Sequence, residues 1–134
     1  MKLKFFSAEN YTYSDREFKV LFYQISHSEM IIRSSKKDAI TSEEHNIDIY
    51  LGDVRYFELP SRMNGLSFRK PVLEDIEYLN KKTDVSVSEE DVIVLMSNDK
   101  TYYVVASVIS IMENDLDRMK LPIDIFLHDS NQDI

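Results

Sequence analysis

Between Glu29 and Phe68 apolar and polar residues alternate with a period of two, and this restricts what the chain can become more than any other feature. Ile47, Ile49 and Leu51 lie two apart with Asp48 and Tyr50 between them, so an extended backbone gives one apolar and one polar face. Gly52-Asp53 interrupts the pattern; Val54, Tyr56 and Glu58 then alternate with Arg55, Phe57 and Leu59 until Pro60 ends the run. The stretch forms either two strands, residues 47–51 and 54–59, or one long strand bent by a bulge at Gly52. On both readings the core is β-built.

The flanking sequence extends the pattern. Residues 2–6 read as a first strand, and Phe18, Val20 and Phe22 alternate with Lys19, Leu21 and Tyr23 as another. Ser26-His27-Ser28 turns the chain into Met30-Ile31-Ile32, the hairpin partner, and the polar residues 34–46 form a surface loop. Asn64-Gly65 is a turn signal, after which Leu66-Ser67-Phe68 resumes the β pattern. Pro71 opens the one convincing helix, ending near Lys82: Val72, Ile76 and Leu79 share a face, acids fill the early turns, and Lys81-Lys82 close it in accord with the helix dipole. Residues 92–96 and 101–112 form a hairpin about Ser97-Asn98-Asp99-Lys100, with a β-branched second arm suited to a central strand. Residues 113–121 suggest a short helix, 123–127 a last strand and 128–134 a frayed tail. The expectation is a single domain over residues 1–134 with an α+β, β-rich fold. It has a mainly antiparallel sheet of about five to seven strands and one principal helix packed on it. Val72, Ile76, Leu79, Val104, Val108, Ile109 and Ile49 are expected to be buried.

Composition removes several kinds of chemistry. With 43% hydrophobic and 30% charged residues the chain is globular in character. Its longest apolar-rich stretch, residues 102–112, is far short of the ~20 needed for a spanning helix. Residues 1–6 are followed too soon by Ser7-Ala8-Glu9-Asn10 to form a signal peptide. No cysteine is present, which excludes disulfides, thiolate nucleophiles and cysteine-based metal centres and fits a cytoplasmic location. Gly52 and Gly65 are the only glycines, too few for a Walker loop or a dinucleotide fingerprint. No cofactor or metal is expected, and no catalytic residue is assigned. His27-Ser28-Glu29 is half of a zinc-deaminase signature whose cysteine half cannot exist here. His27, His45 and His128 are read as scattered surface residues, none placed against a carboxylate in a cleft.

Charge is the strongest functional signal. Residues 1–70 carry 11 Lys/Arg and 10 Asp/Glu, whereas residues 71–134 carry 5 and 14, out of a net −8. A field of one sign attracts cationic partners and repels nucleic acid. Arg55, Arg62, Arg69 and Lys70, interleaved with Tyr56, Phe57 and Phe68, have the composition of a phosphate- and base-binding strip. A sequence pI near 4.8 favours instead aromatics in the core and arginines outside, pairing with the acidic half. Adjacent acids such as Ser88-Glu89-Glu90-Asp91 read as a helix-start cap rather than an acid/base pair.

In size, acidity and absence of a recognisable active site, the chain resembles the small cytoplasmic immunity proteins of bacterial polymorphic-toxin and contact-dependent inhibition systems. That resemblance implies a non-catalytic domain that binds a cognate basic toxin domain, often a nuclease, and blocks it. The surface that meets the partner is then expected among the acids Glu74, Asp75 and Glu77 of the helix, Glu89, Glu90 and Asp91 of the cap, and Asp115 and Asp117. Tyr78 and Tyr102 are the candidate anchors. Two alternatives stand beside it: a β-rich ligand-binding or regulatory domain with an apolar pocket, and a small hydrolase with a histidine beside a carboxylate.

Overall fold

A computed structural model describes residues 11–35, 45–84 and 86–116, and in them the predicted sheet curls until it closes. Its six strands are β1 (Thr12–Gln24), β2 (Glu29–Ser34), β3 (Asn46–Glu58), β4 (Arg62–Arg69), β5 (Val92–Ser97) and β6 (Lys100–Asn114). They run antiparallel around a barrel in the order β1-β2-β3-β6-β5-β4, and β4 returns to pair with β1. One helix, α1 (Leu73–Thr83), lies outside the barrel. The fold is therefore β-rich, mainly antiparallel α+β, as the alternation predicted. Closure leaves no free edge among the described strands. It depends on the length of β1, which pairs with β4 from Thr12 to Lys19 and with β2 from Lys19 to Gln24.

Six strands enclose a narrow interior, and side chains fill it. Phe18, Met30, Ile32, Leu51, Phe68 and Leu95 all point inward and are buried. Leu51 and Val54 are three apart yet belong to this same core, and so do Ala106 and Ile109 on the facing strand. The alternation thus slips on both strands at one place, where Asp53 takes the left-handed conformation with φ 53°. A bulge between Val54 and Tyr56 follows immediately. Of the two readings of this stretch, the single bent strand is the one that holds. Gly52 keeps the bend open, since a Cβ there would lie 3.2 Å from the Tyr50 hydroxyl and from Val108 Cβ. Beyond the bend, Tyr56 packs on the outer face of the barrel rather than inside it.

Several boundaries differ from expectation. Asn64-Gly65 is not a turn but the middle of β4, where Gly65 (φ 74°) accommodates a register slip in β1 between Tyr13 and Glu17. The freedom glycine offers serves a bulge here, and Pro60 marks the actual link between β3 and β4. The β5–β6 connection tightens to Asn98-Asp99, both left-handed (φ 51° and 63°), as a two-residue hairpin requires. The helix begins at Leu73 rather than Pro71, leaving Val72 at its cap and 51% exposed instead of buried. Ile76 and Val108 are half-buried, whereas Leu79, Val104, Ile109 and Ile49 are buried as predicted. A helix lying on the outside of a barrel buries only a narrow stripe, and Val108 faces outward beside the inward Ile109. Glu113 and Asn114 extend β6, held by pairing with Ile47 and Asn46, and do not open a helix. The predicted strands at 2–6 and 123–127, the remainder of that helix from 117 and loop residues 36–44 lie outside the described residues. Among the described residues no helix is long and apolar enough to cross a membrane.

Candidate functional site: an acidic and aromatic face around the helix

Strand register sets the site. Across β3, β6, β5 and β4, Glu58 aligns with Tyr103, Tyr103 with Val94, and Val94 with Arg69. One row on the outer face therefore begins with an acid and ends with a base. The neighbouring row is Tyr56, Val105 and Val92. Helix α1 lies over both rows, with Leu79 fully buried against Val92, Val94 and Val105, and with Tyr56, Ile76 and Tyr103 around them.

At the Arg69 end the helix supplies a carboxylate. Asp75 accepts two bonds from the Arg69 guanidinium, at 2.7 Å (Nη1 to Oδ2) and 3.0 Å (Nη2 to Oδ1). It also accepts the Tyr103 hydroxyl at 2.6 Å and the backbone N–H of Val72 at 2.8 Å. The last of these satisfies a donor at the helix start that Val72, lacking a polar side chain, leaves to its third neighbour. The Arg69 guanidinium, helped by the Tyr103 hydroxyl and the Val72 N–H, holds the Asp75 carboxyl well below the usual carboxylate range in spite of burial. Burial, reinforced by the bond to Asp75, pushes the Tyr103 phenol up to about 12. Asp75 is only 4% exposed. The expectation that it meets a partner is corrected: its polar atoms face inward and pin the helix to the barrel.

At the other end sits Glu58, which the sequence reading did not single out. It accepts the Tyr56 hydroxyl at 2.5 Å and the Tyr78 hydroxyl at 3.0 Å to each oxygen. The bond to Glu58 is the main cause raising the Tyr56 phenol to about 12, and it raises Tyr78 as well. The Tyr78 ring packs against that of Tyr103 with centroids 5.3 Å apart. Lys82 places its ammonium 5.6 Å from the Tyr78 centroid. The Tyr56-x-Glu58 spacing was a signal that both share a face, but which face depends on the bulge before Tyr56.

Tyr78, a candidate anchor, is 37% exposed. Tyr102 is not so placed: it pairs with Leu95, packs against the barrel core and is half-buried, and its neighbour Tyr103 faces the helix instead. Glu74 and Glu77 are exposed on α1. Glu89 and Glu90 are exposed on a 3-10 turn, Glu89–Asp91, in which Ser88 makes no side-chain cap. That turn is tied to α1 by the Val87 N–H on Asn80 Oδ1 at 2.8 Å. Asp91, by contrast, is largely covered and accepts Arg55 Nη2 at 2.7 Å. Arg55 and Arg69 thus pair with the acidic half of the chain, as the outer-face reading predicted, but of the interleaved aromatics only Phe68 enters the core: Tyr56 packs beneath the helix and Phe57 is exposed.

Asp115 lies a dozen residues along the chain from Tyr103, past the far end of β6, and does not join this face. It meets His45, whose Nδ1 is 2.7 Å from its Oδ1, with both side chains well exposed. Pairing of Asn46 with Asn114 brings these two neighbours together, but on the open surface rather than in the cleft that acid/base work by a histidine would need. Asp117 lies outside the described residues. No family model matches the chain, and neither a curated protein nor a solved structure gives a significant match.

Proposed function

We propose that this protein is a non-catalytic protein-binding domain that neutralises a basic partner, such as a toxin domain, in the manner of the cytoplasmic immunity proteins it resembles. The observation that carries this reading is the outer surface of α1 and the adjoining turn. Glu74, Glu77 and Glu89 are exposed there with no ion pair among the described residues, while Arg55 and Arg69 are taken up by Asp91 and Asp75. Leu73 (69% exposed), Val72 and Tyr78 stand among these acids. Exposed apolar side chains inside an acidic field suit a partner that is steered by charge and then anchored by desolvation. The same field disfavours nucleic acid.

The pocket alternative draws no support from an interior filled by its own side chains. The hydrolase alternative has one observation behind it, the His45–Asp115 contact. The nearby Ser34 hydroxyl, however, is fully buried and engaged by Arg16 Nε at 2.7 Å. The reading is tested by capturing the partner from the native host and following association by stopped flow. The double reversal Glu74→Lys/Glu77→Lys should slow association about tenfold at low salt, and Asp15→Lys/Glu113→Lys, the same charge change elsewhere, by less than about twofold. An acidic partner, or equal effects from the two reversals, overturns it.

A further inference from the structure

Asp75 and Glu58 hold the two ends of one row with similar phenol chemistry, but only Asp75 also holds a guanidinium. Glu58 accepts two phenols and meets no cation among the described residues. Beside it, the exposed ring of Tyr78 carries the Lys82 ammonium on its face. A carboxylate next to an accessible aromatic face is what a planar guanidinium engages best, since it bonds to the one and stacks on the other. Lysine is a poorer occupant of such a place, being compact, strongly hydrated and held on a flexible stem.

We propose that Glu58 and the outer face of Tyr78 form the receptor for an arginine side chain of a basic protein partner, with Lys82 leaving the ring as the arginine enters. This rests on α1 being the partner-binding face and gives that face its central contact. The preference for arginine over lysine follows from the planar fork, and Lys82 acts as an internal competitor that sets a threshold on what binds.

The test uses the full chain and a short end-blocked peptide of alternating arginine and serine, with its lysine counterpart, followed by calorimetry and by NMR of the tyrosine rings. The arginine peptide should shift the Tyr78 and Tyr103 rings and bind about fivefold or more tightly than the lysine peptide. Glu58→Gln keeps the shape and an acceptor for the phenols, and should weaken the arginine peptide about tenfold with little change for the lysine peptide. Lys82→Ala should tighten arginine binding about threefold, and more than Lys81→Ala, which removes the same charge without a ring contact. If Glu58→Gln fails to fold, Tyr78→Leu and the two lysine variants decide, the former abolishing the arginine preference. The proposal is overturned if Glu58→Gln or Tyr78→Leu binds arginine peptide as the parent does, or if the two lysine variants behave alike. Should Glu74→Lys/Glu77→Lys still weaken the peptide in that event, the acidic-face reading survives and only the Glu58 receptor falls. If no substitution affects binding, or the peptide does not bind, both fall.

Discussion

Two carboxylates under one helix make the most instructive comparison in this molecule. Asp75 and Glu58 both accept tyrosine hydroxyls, and both sit against the outer face of the barrel. Asp75 is also bound by a bidentate arginine and a backbone N–H, and it is nearly inaccessible. Glu58 is half-exposed and, among the described residues, its side chain bonds only to phenols. The difference is one of charge matching: a carboxylate whose charge is met inside the fold holds the fold, whereas one bonded to neutral donors keeps its charge unmatched, which is the basis of the arginine receptor proposed above.

The largest expected effect follows from that division. Asp75→Asn should cost about 3 kcal/mol of stability in urea denaturation, because it strands a partly buried guanidinium that had a close partner. Glu58→Gln keeps its acceptor and should cost less than about 1 kcal/mol. Equal losses would break the comparison, since both acids would then be structural.

Acid should reveal the same asymmetry. The Asp75 carboxyl is depressed in the fold, so its contribution is present above the ordinary carboxylate value of about 3.9 and is lost as pH falls through the lower folded value. Stability of the parent chain should therefore drop steeply below about pH 4, and Asp75→Asn should lack that part of the drop. A variant curve parallel to that of the parent would mean that Asp75 does not carry the acid sensitivity.

Phenol titration gives a finer comparison. Tyr103 and Tyr56 are both raised to about 12, the first chiefly by burial and the second chiefly by its bond to Glu58. Glu58→Gln should therefore bring Tyr56 back toward 10 while leaving Tyr103 high, as read by NMR of the ring carbons. The sign for stability is opposite to that of Asp75: these raised phenols contribute fully below pH 10 and lose their contribution as pH climbs through about 12. Parallel movement of both tyrosines would show that the two ends of the row are one coupled network.

How much of this was legible without coordinates follows from the physics of each signal. The alternation of Ile47, Ile49 and Leu51 is a local consequence of strand geometry, and the strand it predicts is there. The acids and lysines at the ends of α1 answer to the helix dipole, again a local effect, and they bracket the helix to within two residues. Barrel closure is not local, since it depends on β1 meeting β4 across about fifty residues of chain. The parity that turns Tyr102 inward and Tyr103 toward the helix depends on the slip between Ala106 and Ile109, and no residue type announces that slip. Glu58 was overlooked because an acid after two aromatics reads as the wet side of a strand, and its phenol partners come from its own strand and from a helix twenty residues on. Asp75 was misplaced for the converse reason: an acid in a first helical turn has a sufficient local explanation, which hides the arginine beneath it.

The smallest effect bears on the exposed end of the row. Lys81 and Lys82 both lie in the last turn of α1 and share whatever the helix dipole gives a cation there. Only Lys82 also sits over the Tyr78 ring. Replacing each by alanine removes the same charge from the same turn, so the difference between the two variants isolates the ring contact. That difference should be about 0.5 kcal/mol in thermal or urea unfolding, the size of a cation over an exposed aromatic face. Because a ring contact of this size is weak, an incoming guanidinium can take the place of Lys82 at little cost to the fold. A difference near 2 kcal/mol would instead make Lys82 an integral part of the face, and the contrast between a closed Asp75 end and an open Glu58 end would disappear.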